Sequence, residues 1–522
     1  MLKKIYIVCI GLAFGILFGS CKKDFEAINT DPGQITGGQI NFNYLFTNAQ
    51  LQTSGNTDGN GYEDWRNNLI YSGCMIQHLS STKPYWDGDK YLYSALYNSA
   101  YWDRNYPNSI ANIVEVIEHG RDSAHTNLYH ISRIFKAFMF QRMTDMYGDC
   151  PYFQAGLGYI SGITSPKYDR QQDIYMDMLQ ELQDAATSLD PAKANTLGAA
   201  DLLFGGDPAA WKKFAYSEMV RLAMRLSKID TLSAKKWVRI AVQGGTMQDN
   251  PDNAILQHQV ITGTPAINGT GLILIGNDPN GYRLSETFVN FLSHAGDPRL
   301  CYLSTVCNNP GLPTDKGDTS FSRQLGQPNG YDPPNSGTAF DLEGAPGWPG
   351  NQNNYSVVNR YTFSRLDAPT FFLTYGETEL LLAEAAARGW IPGDPAVHYR
   401  AGVEGAMRQL RTQAGAGPAD DLITAWLASH PYDPANALEQ INDQYWAAAF
   451  MDENECFANW RRAGYPLLVP VNYPGNITNG TIPRRFTYPQ SEAAINSANY
   501  NDAVSRLQNG DKMTSRVWWD RP

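Results

Sequence analysis

Across 522 residues the sequence has no surplus of basic charge, no apolar run of membrane-spanning length and no even set of cysteines. With 41 Lys and Arg against 52 Asp and Glu, the net charge is -11. That excludes nucleic acid as a partner, because such binding needs a cationic surface that displaces counterions. A mean hydropathy of -0.40 and a single short apolar stretch exclude a polytopic helical membrane protein. Reaction-centre motifs are missing too: there is no GxSxG elbow, HExxH pair, P-loop or GxGxxG turn after a strand. Glu377, Glu379 and Glu384 share one helical stretch, but Glu377 and Glu379 point to different faces and read as solvated or capping acids. His119, His125 and His130 offer no i,i+4 pair for a metal. No catalytic or metal residues are assigned.

The seven cysteines give no zinc pattern. Cys9 falls in the N-terminal leader and Cys21 directly follows it, which leaves Cys74, Cys150, Cys301, Cys307 and Cys456. An odd set forms no complete disulfide framework. Cys301 and Cys307 stand close enough in sequence to pair, and spacing alone does not decide whether they do. The one calcium-like pattern is Asn56-x-Asp58-x-Asn60-Gly61, the first half of an EF-hand loop with Asn67 at the place of the bidentate acid. With only Asp58 charged among the expected ligands, an Asn/Gly turn is the preferred reading, so no cofactor is expected and a structural calcium is left open.

What is present begins with an address. Lys3 and Lys4 precede an uncharged apolar stretch over 5–18 and then Gly19-Ser20-Cys21. The order resembles a bacterial lipoprotein signal, cleaved before a cysteine that carries lipid. Residues 1–20 are therefore expected to be a signal peptide and 21–40 a lipidated tether starting at Cys21. The body, 41–522, reads as one domain outside the cytoplasm.

Helical periodicity dominates that body. Apolar residues recur at three- and four-residue steps over 43–53, 125–146, 170–189, 208–229, 370–388, 398–412 and 434–457. Asp169 with Gln172 suggests a capping box, Asp207-Pro208 an N-cap and first turn, and Gly389 a helix stop. Some helices come in pairs on a roughly 34-residue scale, the spacing of tetratricopeptide repeats. Between about 262 and 361 the periodicity gives way to Gly, Pro, Asn and Asp, which predicts an irregular lobe on a helical scaffold.

Aromatic side chains are abundant: 12 Trp, 30 Tyr and 21 Phe. Many crowd 62–106 among Asp, Asn and Gly, and others sit in the irregular stretch. Flat rings cover the C–H faces of sugars or peptide side chains while polar neighbours fix orientation. Aromatics flanked by Gly, Pro and Asp have no amphipathic face to join, so they are expected to be exposed. The candidate ligand residues are Trp65, Tyr85, Trp86, Trp102, Tyr331 and Trp348.

Several segments in series resemble the SusD/RagB family of outer-membrane lipoproteins. They are YGDCPY at 147–152, WKKFAYSEMVRLAMR at 211–225, DPRL at 297–300, FLTYGETELLLAEAAARGW at 372–390, NWRRAGYP at 459–466, IPRRFTY at 482–488 and VWWD at 517–520. The resemblance covers essentially the whole mature chain. It implies a predominantly α fold of four tetratricopeptide-like helix pairs with a loop-rich ligand lobe. It further implies lipid anchoring at the outer surface of the outer membrane. The implied role is non-catalytic capture of oligosaccharides or peptides and their delivery to a SusC-like TonB-dependent transporter. Arg461, Arg462, Arg484 and Arg485 are read as guanidinium forks that join segments. The competing readings are a protein-binding tetratricopeptide scaffold and a surface glycan hydrolase.

Overall fold

Helix starts follow the local sequence wherever a capping side chain is free to act. The computed structural model describes residues 40–55, 63–121, 125–193, 195–261, 266–413 and 415–522. Cys21 and its signal, and the Asn56–Gly61 calcium-like pattern, lie outside these residues. Asn43–Pro522 form one compact unit, and the other, Met1–Phe42, lies almost wholly outside the described residues. Asp207 accepts from the Ala209 amide at 2.9 Å and starts the helix Pro208–Arg225, with Pro208 at its first turn. Thr374 and Glu377 form a reciprocal capping box at the start of the helix Tyr375–Ala387.

Four helix pairs form the scaffold. They are α1 (Thr126–Tyr147) with α2 (Gln171–Ser188), α3 (Pro208–Arg225) with α4 (Thr231–Gly244), α5 (Tyr375–Ala387) with α6 (Pro395–Gln409), and α7 (Ala437–Ala448) with α8 (Glu453–Ala463). Neighbouring pairs touch through α2 on α3, α3 on α5 and α5 on α7. The predominantly α, tetratricopeptide-like architecture is thus present. α1 buries Leu128, Ile131, Phe135, Phe138 and Met146, the face its spacing predicts. α5 and α6 approach closely because glycines line the contact. A Cβ at Gly402 would lie 2.7 Å from Leu380 Cγ and 2.9 Å from its amide nitrogen.

Three local expectations are corrected. Asp169 does not cap α2, because its carboxylate accepts from the amides of Tyr152 and Phe153 at 2.9 Å each, and Asp149 accepts from Gln171 instead. The stretch 370–388 begins as a strand, β6 (Thr370–Leu373), paired with β2 (Ala254–Leu256). The stretch 434–457 is broken at 449–452, where Met451 has φ 77 and Asp452 pairs with Arg142 of α1. Cys301 and Cys307 are free thiols, and Cys307 donates to the carbonyl of Asp315.

Buried guanidinium groups join the pairs, as expected of the arginine-rich segments. Arg462 of α8 grips Glu384 of α5 with two bonds of 2.8 Å, and Arg484 holds Asp520. Arg485 donates to the carbonyl of Tyr147 and Arg461 to that of Arg484, each at 2.9 Å. Arg225 reaches Asp145 and Glu455, which links α3 to α1 and α8. All but the partly exposed Arg484 are desolvated, and each ties together groups from different segments.

The irregular lobe is more structured than its composition suggests. It carries a regular helix, Glu286–His294, capped by Ser285. Two-stranded antiparallel ladders fasten it: β3 (Tyr282–Leu284) to β1 (Leu79–Ser81), and β5 (Val357–Val358) to β4 (Ser304–Thr305). Side chains supply the remaining ties. Gln327 donates to the carbonyl of Ser81 at 2.6 Å, and Arg360 donates to that of Leu312 at 2.7 Å. Backbone groups that no sheet satisfies are met by these long polar side chains.

Candidate functional site

The turn Lys83–Tyr91 leads out of β1 and lies against the 64–73 segment so closely that a Cβ at Gly88 would meet the Ile70 carbonyl at 1.9 Å. Tyr91 closes the turn with φ 55. Asp89 pins it by accepting from the amides of Ser81 and Gly330 at 3.1 Å each. The turn presents Tyr85 and Trp86 toward a second turn, 278–281, that follows the helical stretch Ile273–Asn277.

Asp278 is the meeting point. Its Oδ2 accepts from Trp65 Nε1 at 3.1 Å and from Trp86 Nε1 at 2.5 Å, and its Oδ1 accepts from the Tyr85 hydroxyl at 2.8 Å. Trp65 and Tyr85 meet edge to face with centroids 6.2 Å apart. Tyr97 donates to the Tyr85 carbonyl at 2.8 Å and supports the turn from below. Burial, reinforced by the Asp278 carboxylate, raises the Tyr85 phenol above its ordinary pKa, so it stays a donor. Tyr85 is 43% exposed and Trp65 is half-buried, so this pair faces solvent.

Trp86 departs from its expected exposure. It is fully buried, stacked on Tyr282, and Gly281 leaves it room: a Cβ there would lie 2.2 Å from its Nε1. Trp102 also lies inside, packed against Tyr106, Tyr147, Tyr168 and Tyr488. An indole with Gly and Asp neighbours still buries when a facing glycine opens a slot, and Trp102 sits on the regular helix Ala95–Asn105 that gives it a core face. Tyr331 and Trp348 are half-buried over a small cluster of Leu342, Ala345 and Tyr355. Lys90 on the Tyr85 turn bonds Asp332 at 2.8 Å, which ties the two aromatic patches into one region. Burial works against the Asp332 carboxylate, but bonds from Lys90, Thr338 and Tyr473 outweigh it and hold its pKa below the usual range.

Asp278, Tyr97 and Tyr473 were not among the residues singled out from sequence. Asp278 lies in an Asn-Asp-Pro-Asn-Gly run that reads as a turn, and its three partners are 192–213 positions away.

Other clusters are committed elsewhere. Glu377 caps α5 and pairs with Arg221, Glu379 bonds His398, and Glu384 is held by Arg462. His78 Nδ1 lies 2.6 Å from Glu453 Oε2 beside Cys456, a hydrogen-bond separation with no space for an ion between the two atoms. The rings of Phe288, Trp446 and Phe450 close around that histidine. A cavity of about 80 Å³ has Asp64, Arg142, Gln409 and Asp452 in its wall. Burial pushes Asp64 there up to about 7.

A tetratricopeptide-like scaffold that presents a loop-built aromatic platform defines a helical-repeat binding architecture. The chain belongs to the SusD-like family: the family model described as starch-binding, associating with outer membrane, matches residues 33–489. The chain is similar to a solved chitin-binding protein at 32% identity, covering 92% of this chain and 100% of that one with a TM-score of 0.81. A Bacteroidetes SusD-like structure, AC2a, matches at 26% identity over 92% and 100% of the two chains, also with a TM-score of 0.81. A chitin-binding SusD homologue from Flavobacterium johnsoniae shares the fold at 22% identity, 92% and 98% coverage and a TM-score of 0.73. No curated protein matches the sequence. Among the described residues no helix is long and apolar enough to cross a membrane.

Proposed function

We propose that this protein is a non-catalytic binding lipoprotein at the outer surface of the outer membrane, anchored through Cys21. It captures oligosaccharides on the Trp65–Tyr85 platform and passes them to a SusC-like TonB-dependent transporter. The observation that carries the reading is the pair of rings held open to solvent by Asp278, with their polar hydrogens turned inward. Such rings offer apolar faces to the C–H surface of a sugar. Membership of a family described as starch-binding, and 32% identity to a chitin-binding protein, favour a glycan over a peptide. The commitment of Glu377, Glu379 and Glu384 to structural partners supports binding without hydrolysis, since glycoside cleavage needs two carboxyl groups facing a substrate.

The test incubates the lipid-free chain with glucose oligomers, N-acetylglucosamine oligomers and a peptide pool, and follows binding and product masses together. Retention of one glycan series at unchanged mass supports the reading. Cleavage products would replace it with a hydrolase, and peptide binding alone would replace the ligand class. Intact-mass analysis of the membrane-extracted protein checks for acylated Cys21, and gentle detergent extraction checks whether a TonB-dependent barrel travels with it.

A further inference from the structure

We propose that Asp278 is the positioning residue of the platform: one buried carboxylate orients Trp65 and Tyr85 and leaves the ligand only their faces, so the site takes neutral sugar rings by stacking. The inference rests on reading the platform as the ligand site. Asp278 is 7% exposed, and three donors from two distant segments converge on it. Its own backbone is fixed: its amide donates to the Ile273 carbonyl at 2.9 Å, and the Gly281 amide returns to its carbonyl at 3.1 Å. Its two oxygens are met by two indole N–H groups and a phenol hydroxyl.

That arrangement has two chemical consequences. A carboxylate has acceptor sites on both oxygens and can hold three donors at once, whereas a carboxamide offers one oxygen and sets its own N–H₂ against the remaining donor. The platform geometry therefore depends on the two acceptor oxygens of one side chain that a ligand never has to touch. The ring hydrogens best suited to grasping hydroxyls are also already in use. Recognition falls to the C–H faces of the sugar, with polar selectivity left to neighbouring groups.

The test compares Asp278→Asn, Tyr85→Phe and Tyr85→Ala with the wild type, using the full lipid-free chain and neutral glucose and N-acetylglucosamine oligomers. Affinity is read by calorimetry and the indole N–H resonances by NMR. Asp278→Asn is expected to weaken binding about tenfold, and Tyr85→Phe about threefold, because each keeps the rings and loosens their seating. Two indole resonances that the carboxylate shifts downfield should move upfield in Asp278→Asn. If Tyr85→Ala abolishes binding while Asp278→Asn and Tyr85→Phe leave affinity and indole resonances unchanged, Asp278 has no positioning role and the platform stands. If Tyr85→Ala also leaves affinity unchanged, the platform is not the ligand site and both readings fall. If Asp278→Asn does not fold, Tyr85→Phe decides: full wild-type affinity overturns the proposal.

Discussion

Replacing Arg462 by Met should destabilise the protein by about 3–5 kcal/mol, the cost of leaving a buried charge without its partner. Arg462 is 1% exposed and donates from Nη1 and Nη2 to the two oxygens of Glu384, from Nη2 to Asn442, and from Nε to Asn459. Asn442 also donates to Glu384 at 3.0 Å, so a closed polar knot joins α5, α7 and α8. Burial alone would raise the Glu384 carboxyl, but the charge and bonds of Arg462, with Arg388 beside them, reverse this and hold it at about 2 against an ordinary 4.5. That gap corresponds to about 3 kcal/mol by linkage, which agrees with the first figure in order of magnitude. The sign follows from the depressed value. The contribution is complete above the unfolded pKa near 4.5 and is lost as pH falls through about 2.

Denaturant unfolding of wild type and Arg462→Met at pH 7 and at stepwise lower pH reads the effect. The difference between the two should be largest at neutral pH and narrow as Glu384 protonates. Adding Glu384→Gln to Arg462→Met should recover more than half of the loss, because no buried charge then lacks a partner. A cost below about 1 kcal/mol for Arg462→Met, or one that does not change between pH 7 and pH 3, would refute the reasoning.

Glu218 makes the opposite case. Neither of its carboxyl oxygens has a hydrogen bond, and burial pushes it up to about 8 despite Arg221 at 3.4 Å. A raised carboxyl contributes fully below its unfolded value near 4.5, and that contribution is lost as pH climbs through about 8. Glu218→Gln should therefore cost less than about 1 kcal/mol at pH 7 and flatten the fall of Tm between about pH 5 and 8, which calorimetric scans at stepwise pH would detect. Gly281→Ala places a methyl 2.2 Å from Trp86 Nε1 and 2.5 Å from Asp278 Oδ2. It should destabilise by about 1–3 kcal/mol and move indole fluorescence, and an unshifted spectrum would count against the packing described.

Much of the scaffold was legible because its signals are local. Asp207-Pro208 starts α3, Gly389 ends α5 with φ 68, and the apolar spacing of α1 and α2 matches their buried faces. What sequence missed depends on partners far along the chain. Phe371 and Phe372 read as helix until β2 supplies a ladder, and the stretch 434–457 reads as one helix until Asp452 is drawn to Arg142. The site follows the same division. Tyr85 is exposed as its Gly, Pro and Asp neighbours suggest, whereas Trp86, one residue on, is buried because Gly281 opens a slot that only the fold reveals. Asp278 had no signal of its own, since an aspartate in a turn looks the same whether or not three aromatic donors arrive from elsewhere.

The proposed function has this chain bind neutral glycans on the Trp65–Tyr85 pair without cleaving them. It is tested most directly by titrating the lipid-free chain with neutral oligosaccharides, beside Trp65→Ala and Tyr85→Ala, and weighing the sugars afterwards. Saturable binding by the wild type, at least a tenfold loss in each variant and unchanged sugar masses are the expected results. Unaltered affinity in both variants, or shortened oligosaccharides, would contradict it.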